Sequence, residues 1–431
     1  MKATLEKSIK SSLSPEKIFP AIAHEPGSVW LDSSLMIGDK GRYSFVARRP
    51  VKEIFANATN LQDRFTELTK LWQEKSMFSI GYISYEATLP FVGIKSKQIE
   101  NLSTPLLHFL FYESTLQFDH LTGNAEASNP ESDDYSDLLK MPFELSGEFE
   151  NDCAEITPTV SKNEYIEHVL AIKEHIKEGD IYQANFTCRF DVHSRAKPFG
   201  IYRNLRKLNP APYSAYLNFG DFQIISSSPE RMFRRSGHHI TTCPIKGTVP
   251  SGQNEVERSA QREKLLDSSK DKAELLMIVD LMRNDLGRTA RTGSVKVSNL
   301  FKIEEYSSLV HLVTDVSATL ENGCDYTKIF SSLMPGGSIT GAPKKRAVEI
   351  LQEHESIPRG VYTGCIGYVN GDNADFNIAI RTMIHQNEIY HVHAGGGIVA
   401  DSDPESEYQE MQLKAKNLFK ALGLSPKNYH G

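Results

Sequence analysis

The chain has 431 residues, of which 39% are hydrophobic and 24% charged, the balance of a folded globular protein with room for about two to three average domains. A net charge of −7, with no basic stripe interleaved with aromatics, excludes a general nucleic-acid partner. The opening run Met1-Lys2-Ala3-Thr4-Leu5-Glu6 has no apolar signal core, no segment approaches a membrane span, and Cys153, Cys188, Cys243, Cys324 and Cys365 form no C-x-x-C pair; a cytoplasmic protein with reduced thiols, no zinc site and no membrane partner is expected.

In chain order, Trp30 to Ser33, Arg42 to Ala47 and Phe78 to Ile83 read as strands, and Leu61, Phe65, Leu68 and Trp72 fall at helical spacing between them. Gly123 to Glu155, with Asn129-Pro130-Glu131-Ser132-Asp133-Asp134, is polar and acidic and reads as a long loop or linker. The chain therefore divides into an N-terminal region (1–122), an acidic linker (123–160) and a larger C-terminal region (161–425). In the last of these, Tyr165, Val169, Ile172 and Ile176 mark an amphipathic helix. Strands are expected from Tyr182 to Phe190 and from Phe222 to Ser226, and one long helix from Glu255 to Leu286. Further strands are expected at Leu309–Leu320, Val361–Val369 and Asp375–Ile384, before a terminal helix over Glu405–Leu422. Strands arrive in runs rather than in βαβ alternation, so α+β sheets covered by helices are expected instead of a Rossmann layout.

Lys246, in Pro244-Ile245-Lys246-Gly247-Thr248, sits between a β-type dipeptide and a Gly-Thr turn, at a strand end facing whatever cavity lies there. An amine so placed can be desolvated, lose its proton and act as a nucleophile, although a solvated or paired lysine is the ordinary alternative. Two helices each present an acidic pair three residues apart. Asp271 and Glu274 share a face with Leu275, Ile278 and Leu281, and Glu407 and Glu410 share one with Met411, Lys414 and Leu418. Asp403-Pro404 caps and starts the second helix. Acids beside an apolar stripe need compensation, and oxygen-only ligands without histidine or cysteine suit Mg²⁺; two solvated helix faces are the alternative.

Gly341-Ala342-Pro343-Lys344 is not a P-loop, so nucleotide binding is not expected, while Gly395-Gly396-Gly397 lets a ligand approach the backbone. Arg381 can grip a carboxylate or form a rim salt bridge. Glu230 ends the run Ser226-Ser227-Ser228-Pro229, where partial burial would raise its pKa and make it a proton donor. His311 is flanked by apolar residues, as core histidines are. Together these features describe a small polyanionic substrate held by Mg²⁺, arginine and backbone amides, with an acid and an amine at the reacting carbons.

The stretch from Gly179 to Lys416 resembles the chorismate-utilising enzymes, which include the large subunits of anthranilate synthase and aminodeoxychorismate synthase and the isochorismate and salicylate synthases. The resemblance rests on Gly179-Asp180-Ile181-Tyr182-Gln183-Ala184-Asn185, Ser228-Pro229-Glu230-Arg231, the Lys246 block, Asp280 to Arg288, Gly341 to Lys344 and Gly395 to Ser402. It implies two large packed antiparallel β-sheets with helices outside, and a glutamine amidotransferase subunit as the partner supplying ammonia. It further implies that Glu274 and Glu410 hold Mg²⁺, with Asp271 and Glu407 in support. Arg381, Tyr362 and the Gly396 and Gly397 amides would bind the enolpyruvyl carboxylate of chorismate. Ser338 and Lys414 would line the ring-carboxylate end, with His311 beside the ring. Gln183 stands where water-adding members carry a lysine. Lys246 stands where anthranilate synthases carry alanine, and is the mark of the aminodeoxychorismate-forming branch, in which Glu230 protonates the departing C4 hydroxyl. A C2-aminating anthranilate synthase is the near alternative. A non-catalytic tryptophan-binding regulator is the alternative of another class, although Trp30-Leu31-Asp32-Ser33 departs from the Leu-Leu-Glu-Ser of tryptophan-binding relatives by Trp for Leu and Asp for Glu.

Overall fold

The computed structural model of the chain describes residues 14–75, 77–97, 104–129, 132, 135, 138, 155–306 and 309–424. The N-terminal region gives helix α1 (Pro15–Ile18), strands β1 (Val29–Asp32), β2 (Tyr43–Ala47) and β3 (Lys52–Ala56), helix α2 (Leu61–Glu74), strand β4 (Phe78–Ile83), the one-turn helix α3 (Tyr85–Thr88), and strands β5 (Leu107–Tyr112), β6 (Leu116–Asp119) and β7 (Asn124–Ala127). Then come β8 (Glu155–Pro158), α4 (Lys162–Lys177), β9 (Gln183–His193), α5 (Pro198–Leu208), β10 (Tyr213–Asn218), β11 (Gln223–Ser228), β12 (Arg231–Ser236), β13 (His239–Cys243) and β14 (Ile245–Pro250). The remainder is α6 (Glu255–Asp267), α7 (Ser269–Gly287), β15 (Lys296–Glu305), β16 (Leu309–Thr319), α8 (Tyr326–Leu333), β17 (Gly341–Ala342), α9 (Lys344–His354), β18 (Cys365–Asn370), β19 (Asn373–Asn377), β20 (Thr382–Gln386), β21 (Ile389–Ile398) and α10 (Pro404–Ala421).

The strands form two antiparallel sheets. The first has 11 strands in the order β17-β9-β21-β20-β11-β10-β1-β2-β6-β7, with β8 also on β9. The second has 10, in the order β14-β16-β13-β12-β19-β18-β4-β5-β3, with β15 also on β16. Strands from before and after the acidic stretch thus share both sheets: β1 pairs β10, and β4 pairs β18.

Alternation along the strands explains the layering. Phe78, Ile80 and Tyr82 of β4 meet Val29, Phe45, Leu217, Ile224 and Ile366 between the sheets. Phe186 and Val392 point the other way, under Met411 and Leu418 of α10 and Val169 of α4. Leu312 of β16 lies under Ile278 of α7 and Phe330 of α8. The expected α+β architecture of two packed antiparallel sheets with helices outside is therefore the observed one.

Three expected elements differ, each for a local reason. The helix from Glu255 to Leu286 is two helices. Ser268 is extended, and its hydroxyl accepts the Asp271 N–H at 3.2 Å, so a serine N-cap restarts the helix where periodicity alone runs on. The strand expected over Val361–Val369 begins only at Cys365, because the preceding residues form a turn in which Thr363 has φ 62°. The strand expected over Asp375–Ile384 is split between sheets, with β19 in the second and β20 in the first. Of the stretch read as a loop or linker, Asn124–Ala127 is strand, while Cys153 and residues 139–154 lie outside the described residues.

That split matters for function. From β11 the chain passes from the first sheet to the second through Pro229-Glu230; from β19 it passes back through Ile378 to Arg381. The two crossovers lie side by side, tied by the Ile378 N–H donating to the Glu230 carbonyl at 2.9 Å.

Candidate active site

One wall of the site comes from the edge of the second sheet. Lys246 lies on β14 opposite Leu312 of β16, and the register shifts between Lys246 and Thr248. Gly247 makes that bulge with φ +71°, and a Cβ there would meet Asp271 at 3.0 Å and Leu265 at 2.8 Å. Glycine therefore brings the first turn of α7 against the lysine strand. Lys246 Nζ stands 3.8 Å from Glu274 Oε2, with 17% of the lysine side chain exposed. On the neighbouring strand, His311 Nδ1 and Thr248 Oγ1 are 2.9 Å apart. Burial, with Arg381 and Lys40 also opposing a positive charge, pushes His311 down to about 3. It is a neutral hydrogen-bonding and packing group, edge-on to Tyr306 with ring centres 4.6 Å apart.

Glu230, on the first crossover, is buried. Its Oε1 accepts from Ser338 Oγ at 3.1 Å, and the Ile245 N–H and the charges of Lys246 and Lys40 also favour the carboxylate. Burial outweighs all of these and raises the carboxyl to about 7. The group is thus about half protonated near neutrality.

The opposite wall is the edge of the first sheet. Gln183 of β9 is fully buried, and neither polar atom of its side-chain amide has a hydrogen-bond partner among the described residues. Such a group is costly unless something polar fills the space before it. That space is the site: a Cβ on Gly397 would lie 3.0 Å from Gln183 Nε2 and 3.4 Å from Lys246 Nζ. A Cβ on Gly396 would lie 3.3 Å from Glu407 Oε2 and 3.5 Å from Lys414 Nζ. Arg381, on the second crossover, has φ 53°, rare for a bulky residue. Its guanidinium donates to the Lys414 carbonyl, and burial holds its pKa below the usual value, against the opposing pull of Tyr362 and Glu410. A cation so desolvated is a site for an anion. Tyr362 is stacked on His393, with ring centres 5.3 Å apart.

The four expected metal carboxylates come from α7 and α10. Glu410 is held below the usual carboxylate range by Lys414, 2.7 Å away, and by Lys246 and Lys270. Glu407 goes the other way, raised by burial and by Glu410 even though Ser402 donates to it at 2.6 Å. An all-carboxylate set fits a hard divalent cation, and lysines now balance its charge. Among the described residues, no three of the four bring ligand atoms within 4.8 Å of one another; His175, Glu178 and Asp180 do. That group has a different use, since Asp180 already pairs with His175 at 2.8 Å and Arg346 at 3.0 Å.

Leu31, Asp32 and Ser33 lie in another place. They line a cavity of about 70 Å³ with Tyr213, Arg231 and Asp375. The Tyr202 hydroxyl at 2.7 Å and the Arg206 guanidinium at 2.6 Å both donate to Asp32 Oδ2, the buried Oδ1 has no hydrogen-bond partner among the described residues, and Ser33 Oγ donates to the Tyr43 carbonyl. Sequence reasoning missed three groups. Lys270 is 4.0 Å from Glu274, Ser402 holds Glu407, and the buried Lys40 acts on Glu230 and His311 from the N-terminal region. Ser402 belongs to a block already singled out in the sequence. Lys40 carries no local signal, because its partners are distant in the chain.

Glu230, Lys246, Gln183 and Gly397 thus lie close together on the two packed sheets, with Gly396, Lys414 and Arg381 alongside. The chorismate binding enzyme family matches residues 22–420, and the chain belongs to that family. It is 38% identical over 363 residues to the aminodeoxychorismate synthase component 1 of Bacillus subtilis, covering 80% of this chain and 77% of that one. It is 37% identical over 369 residues to the anthranilate synthase component 1 of Acetivibrio thermocellus, covering 80% and 74%. The crystal structure of anthranilate synthase component I from Streptococcus pneumoniae superposes with a TM-score of 0.78 at 31% identity, over 89% of this chain and 93% of the other. Among the described residues no helix is long and apolar enough to cross a membrane.

Proposed function

We propose that the chain converts chorismate and ammonia to 4-amino-4-deoxychorismate, with Lys246 as a covalent nucleophile. The observation that carries this reading is the placement of Lys246 in a space shared with Glu230, Gln183 and Gly397: an amine beside a protonatable acid, with an amide rather than a base on the facing wall. Glu230 gives its proton to the C4 hydroxyl as the Lys246 amine bonds to C2 and the ring double bond shifts, releasing water. Ammonia then bonds to C4 and expels the lysine amine from C2. Nitrogen ends where oxygen was, and one water leaves overall.

Arg381, with the Gly396 and Gly397 backbone, would take the enolpyruvyl carboxylate, Tyr362 standing beside it. Ser338 and Lys414 would take the ring-carboxylate end, with His311 packing beside the ring. Glu274 and Glu410 would hold Mg²⁺, supported by Asp271 and Glu407, and the cation would supply positive charge for the ring carboxylate. A glutamine amidotransferase subunit would supply the ammonia. Tryptophan is no part of this reading. The cavity at Leu31, Asp32 and Ser33 is about half the size of one that takes a benzene ring, roughly 150 Å³.

The test is single-turnover chemistry. Chorismate and Mg²⁺ without ammonia should accumulate a mass adduct on the peptide bearing Lys246, and Lys246→Ala should form none. Amination at C2 to an anthranilate-type product is the second reading, favoured by the likeness to anthranilate synthases. No adduct, together with anthranilate from the wild-type protein, would establish that reading instead.

A further inference from the structure

Apart from the groups described above, a buried cluster of titratable groups surrounds Cys243, the last residue of β13 and three before Lys246. Lys40, from the turn between β1 and β2, reaches it across 203 residues of sequence, with Nζ 2.8 Å from Sγ. That separation is well inside van der Waals contact of nitrogen and sulfur. Both residues are buried, Lys40 at 4% and Cys243 at 3% exposure. Glu304 of β15 holds the other side of the ammonium, its two oxygens 2.8 and 2.7 Å from Nζ, and itself meets Lys302 at 3.3 Å. Asp315 of β16, fixed by Asn299 at 2.8 Å, lies near enough for its charge to act on the thiol. Burial pushes the Cys243 thiol up to about 12 despite the Lys40 charge, so the sulfur is a thiol with an amine held against it by a carboxylate.

The geometry points to a redox modification site: Lys40 and Cys243 are placed to be joined through a single oxygen atom, as an N–O–S bridge. The oxidant is a peroxide. A first hydrogen peroxide converts the thiol to sulfenic acid and leaves as water. A second removes the sulfenic O–H hydrogen and one N–H hydrogen, the O–N bond forms, and two more waters leave. Four electrons pass in all, and excess dithiol returns them, restoring thiol and amine with loss of one water. Glu304 receives the extra proton of the ammonium, so the buried Lys40–Glu304 ion pair becomes a neutral bridge beside a neutral carboxyl, and the half-exposed Lys302 ammonium turns to solvent.

The bridge would have a consequence at the reacting pocket, because the Lys40 charge acts on Glu230 and His311. Oxidation removes that charge and clamps the N-terminal region to the strand leading into Lys246. Turnover should fall several-fold with peroxide and return with dithiothreitol.

The decisive measurement is peptide mass spectrometry after peroxide treatment, which does not depend on which reaction the protein catalyses. Expected is a linked pair of the Lys40 and Cys243 peptides, about 14 Da above their sum for one oxygen gained and two hydrogens lost, and absent after dithiothreitol. Cys243→Ser should form no link and keep its activity in peroxide. Lys40→Arg, which keeps a cation for Glu304, should also form no link. Peroxide treatment that leaves Lys40 unlinked overturns the proposal, whether Cys243 stays a thiol or goes on to sulfinic acid. A reversible activity loss in Lys40→Arg equal to the wild-type loss overturns the bridge as its cause.

Discussion

Among the described residues, Glu86 and Glu230 are both buried and raised to about 7, and of the pair Glu230 lies in the candidate site. Glu86, in α3, turns its oxygens to the N–H groups of Arg359 and Gly360, at 2.7 and 3.0 Å. Those bonds fix the start of the turn that carries Tyr362. The adjacent Arg359 guanidinium is spent on Glu355 and on the carbonyls of Ile339 and Asn185. Glu230 is raised as far by the same cause, but it faces Ser338 and Lys246, which belong to the pocket. The elevated pKa reports burial in both places. What separates a structural acid from a chemical one is whether its other neighbours are backbone or an open polar space.

The largest expected effect tests that distinction directly. Glu230→Gln keeps the shape and removes the proton donor, so the first displacement should slow by about a hundredfold or more, with chorismate still bound. A variant making product at the wild-type rate would remove Glu230 from the mechanism and leave it a second Glu86. Glu274 and Glu410 make a third kind of carboxylate, partnered by lysines rather than by backbone or open space. Glu274→Gln and Glu410→Gln should each lower turnover at limiting Mg²⁺ by about tenfold or more, with part of the loss recovered at high Mg²⁺. Wild-type rates at limiting Mg²⁺ would remove the cation from these helices.

For Glu86 the expectation is reversed. Glu86→Gln offers one acceptor oxygen to two N–H groups, so one is left without its partner, at a cost of about 1–3 kcal/mol in unfolding free energy. Turnover by the folded variant should stay within about tenfold of wild type, with KM for chorismate rising more than kcat falls. Denaturant unfolding and steady-state kinetics on the same preparation separate the two. A hundredfold drop in kcat with unchanged stability would make Glu86 a chemical acid as well.

Much of this was legible in the sequence, and the part that was not has a physical pattern. Periodicity found α2, α4 and α10, and Asp403-Pro404 marked the start of α10, because these signals are local. Lys246 and Glu230 were also readable, as polar groups at strand ends. The break at Ser268 was missed because the apolar stripe continues across it while a single hydroxyl caps the new helix. The crossover from Ile378 to Arg381 was missed for a related reason: apolar and polar residues alternate on either side, but which sheet a strand joins depends on partners over a hundred residues away. The expected metal carboxylates and the Leu31–Ser33 region rest on resemblance, and the structure adds lysines to the first and a small cavity to the second, where one oxygen of Asp32 is partnered and the other, among the described residues, is not. Glu86 was passed over because its partners come from the turn before β18, far along the chain.

The smallest expected effect concerns stability and carries its own sign. Glu230 is raised from an ordinary 4.5 to about 7 in the folded protein. Between those values the folded state holds a proton that the unfolded state has released, so stability falls as pH rises through the window and levels off above about 7. Glu86 adds a second drop over the same range, so the wild-type profile is the sum of the two. Glu230→Gln removes one contribution and leaves the other. The variant should therefore lose less stability between pH 4.5 and 8 than the wild type does, by about 3 kcal/mol. Glu86→Gln should flatten the profile in the same sense while lowering it throughout, because it also gives up a backbone partner. Urea unfolding at a series of pH values reads both. If the Glu230→Gln profile keeps the full wild-type slope, the carboxyl ionises freely in the folded protein, and its case as the proton donor fails with that result.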